Sequence, residues 1–192
     1  MFEIRIHGRG GQGAVTAAEL LSVAAFHEDR YAQAFPTFGS ERTGAPVVSF
    51  CRIADQPIRI HEPIAEPDAL VVQDPTLLHQ VKVFDGVGPA AFVLVNTSRG
   101  FGELGIGEFL EGFDPRRLAT VPATELAREH LARPLPNAPL LGAFAALTGL
   151  VSLESVVRAI TDRFPGQVGA ANARAAEAGH AHVVHTQEPS RA

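Results

Sequence analysis

Six residues near the start of the chain, Gly8-Arg9-Gly10-Gly11-Gln12-Gly13, have the composition of a phosphate cradle. Glycines let a backbone turn sharply and bring bare N–H groups close to an anion, and Arg9 adds a guanidinium to the same loop. A second segment, Phe35-Pro36-Thr37-Phe38-Gly39-Ser40-Glu41-Arg42-Thr43-Gly44-Ala45-Pro46, sets the charged pair Glu41-Arg42 between glycines and between Phe38 and Pro46. As an exposed turn pair it would be worth under about 1 kcal/mol; bracketed in this way it reads instead as a structured docking loop. His7, at the end of a strand, is placed either to bond backbone in the core or to orient the loop, and no acid–base role is assigned to it. His180, His182 and His185 invite a metal reading, but Ala181 and Val183-Val184 between them favour a solvated C-terminal segment. Cys51, inside a β-rich run, reads as a small buried core residue.

A cradle of this kind needs a strand before it and a helix after it, and the pattern supplies both. Phe2-Glu3-Ile4-Arg5-Ile6-His7 is a short strand running straight into the glycines, and residues 14–27 carry Val15, Ala18, Leu21 and Ala25 on one face at helical spacing. The positive dipole end of that helix points at the loop. Tyr31 to Phe35 reads as a further strand. Residues 45–53 are β-rich, and Asp55-Gln56-Pro57 turns the chain into Ile58-Arg59-Ile60, which predicts a β-hairpin near residues 45–60. Ala69–Gln73 and Ala91–Val95 are nearly continuous apolar runs, as parallel strands buried on both faces require, and they end in Asp74 and Asn96-Thr97-Ser98. Leu118 to Val121 is a weaker strand, followed by a helix over Thr124–Ala132. From Leu140 to about Ala181 the chain reads as helices broken by Gly149 and Pro165-Gly166. The expected fold is α/β: a Rossmann-like, mostly parallel sheet with flanking helices and a helical C-terminal part, its ligands beyond the carboxyl ends of the strands. Residues 1–185 are read as one domain and 186–192 as a frayed tail.

Composition narrows the function. A net charge of −5 gives no electrostatic reason for a nucleic acid or an anionic membrane surface as partner. The absence of a basic-then-apolar leader and of any long apolar run sets the expectation of a cytoplasmic protein. A single cysteine forbids an intrachain disulfide and cannot by itself hold an iron–sulfur cluster or a structural zinc. Gly8-x-Gly10-x-x-Gly13 alone would suit a dinucleotide, but an NAD site carries an acid at the end of the second strand. Here that region reads Tyr31-Ala32-Gln33-Ala34-Phe35-Pro36. A tight strand-to-helix turn without a ligand and a stand-alone nucleotide- or flavin-binding oxidoreductase both stay open on the residues alone.

His7-Gly8-Arg9-Gly10-Gly11-Gln12-Gly13, followed by Tyr31-Ala32-Gln33-Ala34-Phe35-Pro36 and by Phe38-Gly39-Ser40-Glu41-Arg42-Thr43-Gly44-Ala45-Pro46-Val47, closely resembles the gamma subunit of pyruvate and other 2-oxoacid:ferredoxin oxidoreductases. The resemblance is dense over residues 3–53. One departure is Thr43, which stands where many relatives have a second arginine after Arg42. The resemblance implies a multisubunit enzyme that oxidatively decarboxylates a 2-oxoacid, transfers the acyl group to coenzyme A and passes electrons to ferredoxin or another acceptor. Thiamine diphosphate with Mg and Fe4S4 clusters would sit in thiamine-binding alpha/beta-type subunits and a ferredoxin-like cluster subunit, because this chain has neither the Gly-Asp-Gly signature nor the cysteines. The chain itself would be non-catalytic. By the same resemblance Gly8, Arg9, Gly10, Gly11, Gln12 and Gly13 would cradle the diphosphate of coenzyme A, and Phe38, Ser40, Glu41, Arg42 and Thr43 would dock near the thiamine site. Coenzyme A needs no acid at the second strand. Pyruvate is the commonest substrate of such enzymes; phenylglyoxylate, a branched-chain or a dicarboxylic 2-oxoacid stays open.

Overall fold

The computed structural model describes residues 1–37 and 43–187. Its strands are β1 (Phe2–Arg9), β2 (Tyr31–Pro36), β3 (Pro46–Ala54), β4 (Ala69–Val72), β5 (Phe92–Asn96) and β6 (Leu118–Val121). Its helices are α1 (Ala14–Phe26), α2 (Ala123–Leu131), α3 (Asn137–Thr148), α4 (Leu153–Arg163) and α5 (Gly166–Gln187). The strands form one sheet in the order β2-β3-β1-β4-β5-β6. β1, β4, β5 and β6 pair in parallel, while β3 is antiparallel to both β1 and β2. Among the described strands only β3 runs against the others, so the mostly parallel α/β reading holds.

The hairpin falls elsewhere than the pattern predicted. Ile58-Arg59-Ile60 forms no strand, because β3 already carries β1 on one edge and β2 on the other and has no ladder left to offer. Its hairpin partner is β2. At the other end of the chain, α5 continues through Gln187 and so takes in His180, His182, His185 and Thr186; the rest of the expected tail lies outside the described residues.

The two faces of the sheet are covered differently. Ile4, Ile6, Val71 and Leu94 face a core built with α1, α3, α4 and α5, rich in alanine. Two glycines let these helices approach closely: a Cβ on Gly142 would meet the Ala176 carbonyl oxygen at 1.8 Å, and one on Gly179 would meet that of Pro139 at 2.0 Å. Leu70, Val72, Val93 and Val95 face the opposite side, packed against Leu77, Val83, Leu104 and Ile106 from loops and short 3-10 turns. There the buried Arg5 and Arg52 bind the covering chain. Arg5 donates to the carbonyls of Ile64, Ala65, Val83 and Asp85. Arg52 donates to those of Ile60 and Glu62 and pairs with Glu3 at 2.7 Å.

β1 leads through α1 to β2 on one side, while β4 takes β1's other edge. The sheet therefore reverses its winding at the carboxyl end of β1, the position where open α/β sheets form a ligand crevice. The glycine loop lies at that point.

Candidate functional site

β1 keeps its ladder through Gly8 and Arg9, opposite Val47 and Pro46, so the turn itself is Gly10–Gly13. Gly11 and Gly13 adopt φ values of +94° and +80°, which side chains other than glycine rarely take. Gly13 is the residue from which α1 springs, and among the described residues no side chain caps the helix. Its first N–H groups, with the helix dipole behind them, are thus aimed at the crevice without a competing acceptor from a described capping residue. The other side of the turn is stitched to the segment before β3: Gly10 N–H donates to the Ala45 carbonyl at 2.9 Å, and Gly44 N–H to that of Gly10 at 3.0 Å.

Arg9 does not reach freely into the crevice. Its guanidinium pairs with Asp74 at 3.0 Å and donates to the Gly44 carbonyl, the Thr76 hydroxyl and the Gln80 amide oxygen. Gln12 is likewise engaged, donating to Asp74 at 2.8 Å while its amide oxygen accepts the Arg9 N–H. Asp74, just past the end of β4, is the hub. Its burial alone would raise its pKa, but hydrogen bonds from Thr76 and Gln12 and the charge of Arg9 hold it below the ordinary carboxylate value. Arg9 and Gln12 therefore shape the loop from within.

Behind the loop lie three side-chain amides that the sequence reading did not single out. Gln73 is 1% exposed, and a Cβ on Gly8 would stand 2.7 Å from its Oε1. Asn137, the first residue of α3, sets its Nδ2 2.9 Å from where a Gly13 Cβ would lie. Asn96 at the end of β5 donates to the Gln73 carbonyl and to the Thr124 hydroxyl, and accepts the Thr124 N–H at the start of α2. The signal available in the sequence was position: Gln73 and Asn96 end the two apolar runs at their carboxyl ends. Asn137 had no local signal, since only the fold brings it to Gly13.

His7 is buried beside the loop, its pKa lowered to about 4 by burial and by the charge of Arg5, so its imidazole is neutral. Cys51 is fully buried, and burial pushes its thiol up to about 12, which fits a core residue. Among the described residues no group of three His, Cys, Asp or Glu side chains is arranged to hold a metal ion, and no helix is long and apolar enough to cross a membrane. Of the expected docking residues, Phe38, Ser40, Glu41 and Arg42 lie outside the described residues; Thr43 is exposed in a turn.

The family model for pyruvate ferredoxin/flavodoxin oxidoreductase matches residues 3–182. The chain belongs to this oxidoreductase family. It is 47% identical over 186 residues to the pyruvate synthase subunit PorC of Methanothermobacter marburgensis, covering 97% of this chain and 99% of the relative. Against the pyruvate/ketoisovalerate oxidoreductases common subunit gamma of Thermococcus kodakarensis it is 53% identical over 179 residues, with 92% and 94% covered. The crystal structure of the pyruvate oxidoreductase subunit PORC of Thermotoga maritima superposes with a TM-score of 0.81 at 38% identity, over 94% of this chain and 95% of that one. A 2-oxoglutarate:ferredoxin oxidoreductase from Magnetococcus marinus, solved with 2-oxoglutarate, coenzyme A and succinyl-CoA bound, shares the fold at a TM-score of 0.80 and 21% identity. The match spans 99% of this chain and 32% of that larger one. Within the pyruvate ferredoxin/flavodoxin oxidoreductase family this chain is of the gamma type, a subunit of an enzyme complex rather than a stand-alone nucleotide- or flavin-binding oxidoreductase.

Proposed function

We propose that the chain binds coenzyme A within a 2-oxoacid:ferredoxin oxidoreductase complex, with the loop Gly8–Gly13 and the first turn of α1 taking the diphosphate. The observation that carries this reading is a helix N-terminus that no described side chain caps, behind two positive-φ glycines at the point where the sheet reverses its winding. An anion placed there meets several N–H groups and the helix dipole together. β2 ends in Phe35-Pro36 with no acid to hold a ribose, which disfavours NAD and is neutral for coenzyme A. The similarly folded Magnetococcus marinus enzyme, described with coenzyme A and succinyl-CoA bound, adds support. Arg9 serves this site by bracing the loop against Asp74 instead of touching the phosphates.

Thiamine diphosphate with Mg and Fe4S4 clusters, in alpha/beta-type and ferredoxin-like partner subunits, supply the decarboxylation and electron transfer when bound. The one cysteine of this chain is enclosed in its core and offers no ligand set of its own. Pyruvate is the proposed 2-oxoacid, ferredoxin the proposed acceptor, and the cytoplasm the proposed location. Phe38, Ser40, Glu41, Arg42 and Thr43 are the proposed contact near the thiamine site.

Gly11→Val tests the cradle. It combines a strained φ with bulk beside the N–H groups, so the KM for coenzyme A should rise at saturating 2-oxoacid on the assembled complex, since lost ground-state binding appears there. An unchanged KM would leave the loop an architectural turn and remove the coenzyme A assignment.

A further inference from the structure

Gln73 carries the feature that the loop reading leaves unexplained. Among the described residues neither its Oε1 nor its Nε2 has a hydrogen-bond partner, although the residue is 1% exposed. Asn137 Oδ1, in a residue 7% exposed, is also unpartnered. Buried amides without partners are a cost to a fold, and an apolar side chain of the same size would avoid it. These two press on the residues that enter and leave the turn. Gln73 lies against Gly8, whose missing Cβ would also meet that of Ala14 at 3.1 Å, and Asn137 lies against Gly13. Both glycines are thereby fixed by an amide neighbour, and an added methyl at either would displace the amide.

We propose that Gln73, against Gly8, with Asn137 against Gly13, is a positioning residue for the anionic group taken by the glycine loop. Its amide gains its hydrogen bonds in the ligand-bound state and there holds the loop backbone in the shape that presents N–H groups to a diphosphate. The free chain carries the unpaired amide as the cost of that readiness. The inference rests on the loop being a diphosphate cradle, and it adds what that reading lacks: a reason for a buried polar residue just past the end of β4.

Gln73→Met keeps the length of the side chain and removes the amide. Two effects of opposite sense are expected: on the assembled complex the KM for coenzyme A rises about tenfold, the loss of one good hydrogen bond, with a smaller change in kcat; in scanning fluorimetry the full-length chain without ligand melts higher than the parent. A lower melting temperature would mean that the amide serves the free fold, and would overturn the proposal whatever happens to KM. A higher melting temperature with an unchanged KM would overturn it as well. Gly11→Val, measured alongside, separates the two layers: if it raises the KM and Gln73→Met does not, the cradle stands and the positioning role falls. If neither variant alters the KM, both fall together.

Discussion

The two faces of the sheet solve one problem by different means. On the helical face, each covering element satisfies its own backbone, so the contact can be dry and close: alanines line it, and Gly142 and Gly179 bring α3 and α5 to backbone contact. Opposite, loops and 3-10 turns lie over the sheet with carbonyls that no ladder pairs. Arg5 and Arg52 answer them from the strands, two guanidiniums with six carbonyl contacts between them, at 7% and 2% exposure. A helix-covered face is built from small residues; a loop-covered face needs buried donors.

The sharpest way to break that comparison is Arg5→Leu. It keeps an apolar stem in the sheet but strips donors from four carbonyls, each worth about 1–3 kcal/mol if it stays buried. Partial resolvation of the loops leaves an expected net loss of about 4 kcal/mol, measurable by urea unfolding of the chain. Equal stability of parent and variant would deny Arg5 its role.

His7 tests the same loop-covered side by pH. Its folded pKa of about 4 lies below the ordinary 6.5, through burial first and the charge of Arg5 second. Protonation therefore favours the unfolded chain: the contribution is complete above pH 6.5, declines as pH falls from 6.5 towards about 4, and is constant below. The full decline is about 3 kcal/mol. His7→Gln should remove this slope, so the difference in unfolding free energy between parent and variant should change between pH 7 and pH 4.5; a constant difference would show that His7 titrates normally.

The helical face is tested by Gly142→Ala. Its new methyl would lie 1.8 Å from a backbone oxygen of α5, forcing the helices apart at an expected cost of about 2 kcal/mol. Gly88→Ala, where no described atom stands within 4 Å of the Cβ, is the control. If both cost the same, close packing of α3 on α5 is not what Gly142 provides.

Much of the architecture was legible because its causes are local. The apolar runs at 69–73 and 91–95 had to be buried on both faces, and the strand-glycine-helix order fixed the loop at the start of α1. What could not be read was pairing at a distance. Ile58-Arg59-Ile60 has strand composition, yet β3 finds its partners in β1 and β2, and whether an edge is already taken depends on strands that lie well upstream in the chain. The site followed the same division. Its glycines were visible from spacing, whereas Gln73, Asp74 and Asn137 look like ordinary turn and helix-start residues until the fold sets them around Gly8 to Gly13.

The stitching of Gly10 to Ala45, of Gly44 to Gly10, and of Arg9 to Gly44 ties the turn after β1 to the stretch that precedes β3. Neither can swing out alone without breaking the other's bonds, so their amides share one opening event and exchange with solvent as a cooperative unit. A protein surface that grips residues 43–45 thereby slows the breathing of the glycine turn. By reciprocity, if that grip tightens the binding of an anion at the turn, the anion tightens the grip by the same factor in affinity.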